Sequence, residues 1–234
     1  MAPRRFTISR VPRTRVKICG ITRPEDARLA SDAGADAIGM IFHPSSRRNI
    51  SVETARQIVA VLGPFVTPVG VFVDATTDTI VSVATSVGLR VVQLHGHEPV
   101  QQVAELGRAN LKVIKVLRVD DTLESQLDGW RASGHLAAGV LLGIVLETAG
   151  VAGGSGVPND FPAILRHQQL GHLADFPALI LAGGLTPENV GEVVRTLHPW
   201  AVDVSSGVET ELGRKDRAKM MEFAASVDSA SRAR

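Results

Sequence analysis

The chain reads as an α/β protein, a single (β/α)8 barrel of the TIM type, on three observations. Short β-branched runs alternate with longer amphipathic runs from end to end. In the longer runs apolar residues recur at threes and fours, as at Ile58, Val61 and Leu62 or Val190, Val193, Val194 and Leu197, the period of a helix with one buried face. Eight strand–helix units in 234 residues leave roughly 29 residues each, the size of a barrel unit with few insertions. Alternation also fits a doubly wound open sheet, and it is the strand number that favours the barrel.

The first strand is expected over 15–19, ending in Cys19, and the first helix over 25–33. Thr22 can cap that helix, Pro24 suits an early helical position, and Glu25 and Asp26 suit the positive end of the helix dipole. The remaining strands are expected over 37–42, 67–73, 91–94, 113–117, 140–146, 178–181 and 201–204. The helices between and after them are expected over 52–62, 77–86, 99–107, 122–132, 161–169, 187–197 and 215–227. The barrel domain then spans 15–227, with a basic, poorly ordered extension over 1–14 and a tail over 228–234.

The totals exclude several classes. A net charge of +1 gives no broad attraction to nucleic acid or to an anionic membrane. One Cys excludes an intrachain disulfide framework and a cysteine zinc cluster, and the seven His show no metal-like spacing. No apolar run approaches the length that spans a bilayer. Arg4, Arg5, Arg10, Arg13 and Arg15 with no apolar stretch are not a secretory signal, so the expected location is cytoplasmic.

In such a barrel chemistry collects at the carboxyl ends of the strands. Cys19 is there, although a lone cysteine is also commonly a small buried hydrophobe. The second loop carries Arg47 and Arg48, either of which could be surface charge or a carboxylate fork. The fourth strand ends in Gln93-Leu94-His95-Gly96, where His95 is a core histidine or a polar pocket wall; the fifth contains Lys115 and the sixth ends at Glu147. Gly183-Gly184 and Ser205-Ser206-Gly207 follow consecutive strands. Small residues in both loops free backbone N–H groups and admit a ligand oxygen, the makings of a phosphate site. No Ser-His-Asp order or nucleophile-elbow motif is present.

The following runs occur in one order from Arg15 to Val227: Lys17-Ile18-Cys19-Gly20-Ile21-Thr22, Gly39 through Arg48, Gly70-Val71-Phe72-Val73, Val92-Gln93-Leu94-His95-Gly96, Gly153-Gly154-Ser155-Gly156, Ala182 through Val190, and Val202 through Glu209. In this ordered set the chain resembles the phosphoribosylanthranilate isomerases of tryptophan biosynthesis. The resemblance implies one barrel without metal or organic cofactor, a small phosphosugar substrate, no nucleic-acid or membrane partner, and a monomer or homodimer. It implies Cys19 as general base and Arg48 as the grip on the anthranilate carboxylate. It also implies substrate contacts at Gln93, His95, Gly153, Gly154, Gly183, Gly184, Ser205, Ser206 and Gly207.

Two positions depart from the family. Its general acid is an Asp ending the sixth strand, where this chain has Glu147; the other registration would place Gly143 there and leave no acid. After Gly156 the chain continues Val157-Pro158-Asn159-Asp160-Phe161, where the family has a Lys or Arg followed by Thr. Other readings of the same residues are a different phosphosugar isomerase, epimerase or lyase, a non-catalytic phosphate-ligand binder, and a cysteine-nucleophile hydrolase.

Overall fold

Eight parallel strands close on themselves in sequence order, β1 to β8, each followed by a helix. A computed structural model of the chain describes residues 13–133, 139–148 and 161–233. The strands are β1 (Arg15–Ile18), β2 (Ala37–Ile41), β3 (Thr67–Phe72), β4 (Val91–Leu94), β5 (Lys112–Val119), β6 (Leu141–Thr148), β7 (Leu179–Ala182) and β8 (Ala201–Val204). The helices are α1 (Pro24–Asp32), α2 (Val52–Ala60), α3 (Thr77–Val87), α4 (Val100–Arg108), α5 (Leu123–Ala132), α6 (Phe161–Gln169), α7 (Val190–Leu197) and α8 (Arg217–Arg232). A 3₁₀ turn (Ser206–Val208) follows β8, and β9 (Glu209–Glu211) pairs antiparallel with β10 (Arg214–Lys215).

The two faces of the strands serve two cores. Ile114, Val116, Val145, Ile180, Ala182 and Ala201 fill the barrel interior. Their sequence neighbours Val113, Leu117, Ile144, Leu146, Leu181 and Val202 belong to the larger layer between strands and helices. This period of two decides which strand-end residues can meet at the barrel mouth. Cys19, Gln93 and Glu147 carry the inward parity. Lys115 carries the outward one, so this strand-end group never reaches the mouth. Its Nζ instead lies 2.6 Å from Glu98 Oε2 and 2.6 Å from the Gly96 carbonyl oxygen, beneath the fourth loop.

Four local expectations are corrected. Thr22 does not cap α1: the cap position is Arg23, and the Thr22 hydroxyl donates to the Gly213 carbonyl. Helix α7 starts at Val190 rather than at 187, because Asn189 ties the preceding loop, accepting from Thr186 N and donating to Gly184 O, both at 2.8 Å. The segment expected as a C-terminal tail continues α8 to Arg232, since Val227 and Ala230 are buried and the Ser231 hydroxyl accepts from Thr14 N at 3.1 Å. Thr14, assigned from sequence to the extension, is buried and donates to Pro199 O. Ser51, Thr76 and Asp216 cap α2, α3 and α8, each accepting a backbone N–H of the first turn. Among the described residues no helix is long and apolar enough to cross a membrane.

Candidate active site

A cleft of about 440 Å³ opens at the carboxyl ends of the strands, within the range that encloses a small metabolite. Cys19, Arg48, Gln93, His95, Glu147, Gly183, Gly184, Ser205, Ser206 and Gly207 all line it, brought together from β1, β4, β6 and the loops after β2, β7 and β8. Gly153 and Gly154 lie outside the described residues.

Cys19 follows β1, its N–H donating to Val204 O at 2.7 Å, which fixes it against β8. Its side chain is partly buried. Gly39 on β2 makes the space: a Cβ there would stand 2.6 Å from the sulfur and 3.2 Å from Cys19 Cα. Two residues earlier on the same face is Lys17, whose Nζ lies 2.6 Å from Asp203 Oδ2, with both side chains almost wholly buried. Burial pushes the Cys19 thiol above its ordinary range, the Lys17 ammonium pulls it down, Asp203 pushes it up, and Lys215 pulls it down; the upward pushes prevail.

Across the mouth, β6 turns Glu147 inward. Its backbone pairs with Arg118 on β5, whereas the pairing with β7 ends at Leu146. His95 Nε2 lies 2.9 Å from Glu147 Oε2, and Gln93 Nε2 lies 3.2 Å from His95 Nδ1. Gln93 is buried, and its Oε1 has no hydrogen-bond partner among the described residues. Gly143, the alternative registration for the acid, sits four residues deeper, where a Cβ would press on the Ala178 carbonyl at 2.7 Å.

Arg48 is buried while Arg47 stands exposed at the rim. One edge of the Arg48 fork is already engaged. Nε donates to Glu209 Oε1 at 2.8 Å and Nη2 to Glu209 Oε2 at 2.7 Å, leaving Nη1 and the second N–H of Nη2. Lys215 Nζ also reaches Glu209 Oε1, at 2.8 Å, and the Ser205 carbonyl at 3.0 Å. Burial alone would push the Glu209 carboxyl up, but Arg48 and Lys215 outweigh it and hold it below the ordinary carboxylate range.

The opposite wall is backbone. Gly183 and Gly184 have φ of +93° and +63°, which L side chains rarely adopt. Among the described residues neither N–H donates to a protein acceptor. Beside them, a Cβ on Gly207 would collide with the Leu185 carbonyl. Gly183, Gly184 and Gly207 thus line the cleft together with Ser205 and Ser206 and offer it backbone rather than long side chains, a surface suited to anion oxygens. Among the described residues no group of three or more His, Cys, Asp or Glu side chains could hold a metal ion.

Sequence reasoning missed Lys17, Asp203 and Lys215 and gave Glu209 no role. A signal existed for the first two, because each is a charged residue between two β-branched apolar ones and on the inward parity.

The profile of the family described as N-(5'phosphoribosyl)anthranilate (PRA) isomerase matches residues 16–226. The N-(5'-phosphoribosyl)anthranilate isomerase of Pseudomonas aeruginosa (strain LESB58) is 42% identical over 222 residues, 95% of this chain and 99% of the relative. The crystal structure of phosphoribosyl anthranilate isomerase from Thermotoga maritima is similar with a TM-score of 0.78 and 41% identity, covering 92% of this chain and 99% of the other. So is a phosphoribosyl anthranilate isomerase in complex with reduced 1-(o-carboxyphenylamino)-1-deoxyribulose 5-phosphate, at TM-score 0.75, 39% identity, 92% of this chain and 99% of that one. On a match that runs through all eight strands, this chain belongs to the phosphoribosylanthranilate isomerase family.

Proposed function

We propose that this barrel performs the isomerisation of tryptophan biosynthesis, N-(5-phosphoribosyl)anthranilate to 1-(2-carboxyphenylamino)-1-deoxy-D-ribulose 5-phosphate, with Cys19 as base and Glu147 as acid. The observation that carries the assignment of roles is that the lone thiol and the Glu147 carboxyl enter a single cleft from β1 and β6, between a guanidinium and a glycine-lined anion surface, while the other lining carboxylate, Asp203, is bonded to Lys17.

Glu147 gives a proton to the furanose ring oxygen as the C1–O bond breaks, and the anilino nitrogen lone pair forms C1=N. The Cys19 thiolate then removes the C2 proton; that electron pair becomes C1=C2 and neutralises the iminium, giving an enolamine. Protonation of C1 and loss of the O2 proton give the ketone, so C2 is oxidised and C1 reduced with no external redox partner. The acid and the base must address opposite sides of one C1–C2 unit, which requires both ends of the substrate to be fixed.

The phosphate is assigned to the amides around Gly183, Gly184, Ser205, Ser206 and Gly207. The anthranilate carboxylate is assigned to the remaining Nη1–Nη2 edge of Arg48, which Glu209 holds rigid from behind. With the Gln93 amide nitrogen donating to Nδ1, the His95 ring proton sits on Nε2 and bonds Glu147 Oε2, leaving Oε1 for the transferable proton. The orphan Gln93 Oε1 is available to a substrate hydroxyl. The assembly is read as a monomer or homodimer.

The test is the fluorescence decay of freshly generated phosphoribosylanthranilate on adding protein. Wild type should abolish the signal, and folded Cys19→Ala should turn over at least ~10²-fold more slowly, as removal of a proton-transfer group requires. Near wild-type decay with Cys19→Ala would end the assignment of the base.

A further inference from the structure

We propose that Lys17 and Asp203 are positioning residues for the reaction, a buried charge pair that keeps one ammonium beside the Cys19 sulfur and sets how much of its positive charge the thiolate feels. The proposal rests on Cys19 being the base for its kinetic consequence, but not for its effect on the thiol itself.

The geometry follows from barrel closure. β1 pairs with β8 so that Lys17 stands opposite Asp203 on the inward parity, with Asp203 also lining the cleft. Cys19 is two residues along from Lys17 on the same face. A point above Gly39 lies 2.6 Å from the sulfur and 3.1 Å from Lys17 Nζ, so thiol and ammonium are neighbours across a glycine that exists to admit them both. Nζ is held from below by Asp203 Oδ2 at 2.6 Å.

A pair of this kind is an expensive way to fill a barrel floor. Two apolar residues would pack there without desolvating two charges, and a buried ion pair is weak grounds for stability. Here the pair is not even fully satisfied, since Asp203 Oδ1 is buried and has no hydrogen-bond partner among the described residues. A carboxylate bonded through one oxygen anchors the lysine and leaves the rest of the ammonium to the sulfur. Burial alone would favour neutral lysine, but Asp203 and then Cys19 outweigh it and raise its pKa, so Lys17 stays a cation.

The charged groups facing Cys19 are Lys17 from β1, Asp203 from β8, Lys215 from β10 and Arg48 from the loop after β2; Gly39 on β2 adds none. Lys215 and Arg48 are both committed to Glu209. Lys17 is therefore the cation whose partner can be altered without breaking a bond to Glu209. The two members of the pair act on the thiolate with opposite signs: Lys17 stabilises it and Asp203 opposes it. That opposition separates an electrostatic role from a structural one, since either single change breaks the same bond.

Cys19 is the sole cysteine, so the ultraviolet absorbance of thiolate in the intact protein reports this group alone. The thiol midpoint should rise by about one pH unit or more in Lys17→Met, as expected for losing an opposite charge within reach. It should fall in Asp203→Asn, stay near wild type in Lys17→Arg, and lie between the two single variants in Lys17→Met/Asp203→Leu. The double variant removes both charges together and so keeps the comparison intact if Lys17→Met does not fold. Midpoints that move the same way in Lys17→Met and Asp203→Asn, or a double-variant midpoint no higher than that of Asp203→Asn, overturn the proposal, and so do midpoints that do not move. The acid limb of the kcat/KM–pH profile should follow the thiol midpoint from variant to variant. If the midpoints split as stated while the acid limb stays put, the placement of the pair stands and the assignment of Cys19 as base falls.

Discussion

Replacing Glu147 by Asp restores the residue type the family carries and is expected to slow this enzyme. Asp is one methylene shorter, which withdraws the carboxyl by about 1.5 Å. Recovery would require β6 to advance toward the cleft, yet the Glu147 backbone is laddered to Arg118 on β5. The 2.9 Å contact with His95 Nε2 would open beyond hydrogen-bonding range. A misplacement near 1 Å can cost on the order of 10²-fold in rate, or about 2.7 kcal/mol of barrier. Glu147→Gln retains size but cannot give up a proton, and its loss should fall between about 10² and 10⁴. The order in kcat should be Glu, then Asp, then Gln, while KM moves little because neither change touches the phosphate or carboxylate grips. Stopped-flow fluorescence with substrate generated in situ, at saturating concentration, measures it. Gln turning over as fast as Glu would show that the acid is elsewhere. Asp as fast as Glu would show that β6 is not held as its pairing with β5 implies.

Gly184→Val forces a β-branched residue into φ near +63° and puts its side chain on the anion surface, so KM should rise strongly and more than kcat falls; an unchanged KM would place the phosphate elsewhere. Arg48→Lys should weaken substrate binding by about tenfold through loss of the planar fork, whereas exposed Arg47→Lys should stay near wild type; equal damage would mean that the wrong arginine has been chosen. Glu209 is held ionised below its ordinary range, so its contribution to stability is complete above about pH 4.3 and lost as pH falls through its lower folded-state pKa. The gap in Tm between wild type and Glu209→Gln should therefore shrink on acidification below that pH, and a constant gap would refute the coupling.

Alternation of β-branched and amphipathic runs was enough to place all eight strands and eight helices, because each barrel unit is stabilised by its own buried helix face and strand pair. The residues at the strand ends were legible for a related reason. Cys19, Gln93 and Glu147 sit at or next to the ends of short strand-like runs, and period two then sends them to the mouth. What the chain did not disclose was pairing across the closed barrel. Lys17 and Asp203 are 186 positions apart, and Arg48 and Glu209 are 161 apart. Each pair meets only because β8 returns beside β1 and carries its following loop over the second. Lys115 shows the converse. It reads as one more strand-end cation, yet its outward parity and the Glu98 carboxylate take it out of the cleft. Local propensity and period are properties of neighbouring residues and can be read in line. The partner of a buried charge is set by which strands closure makes adjacent, and that information exists only in the folded barrel.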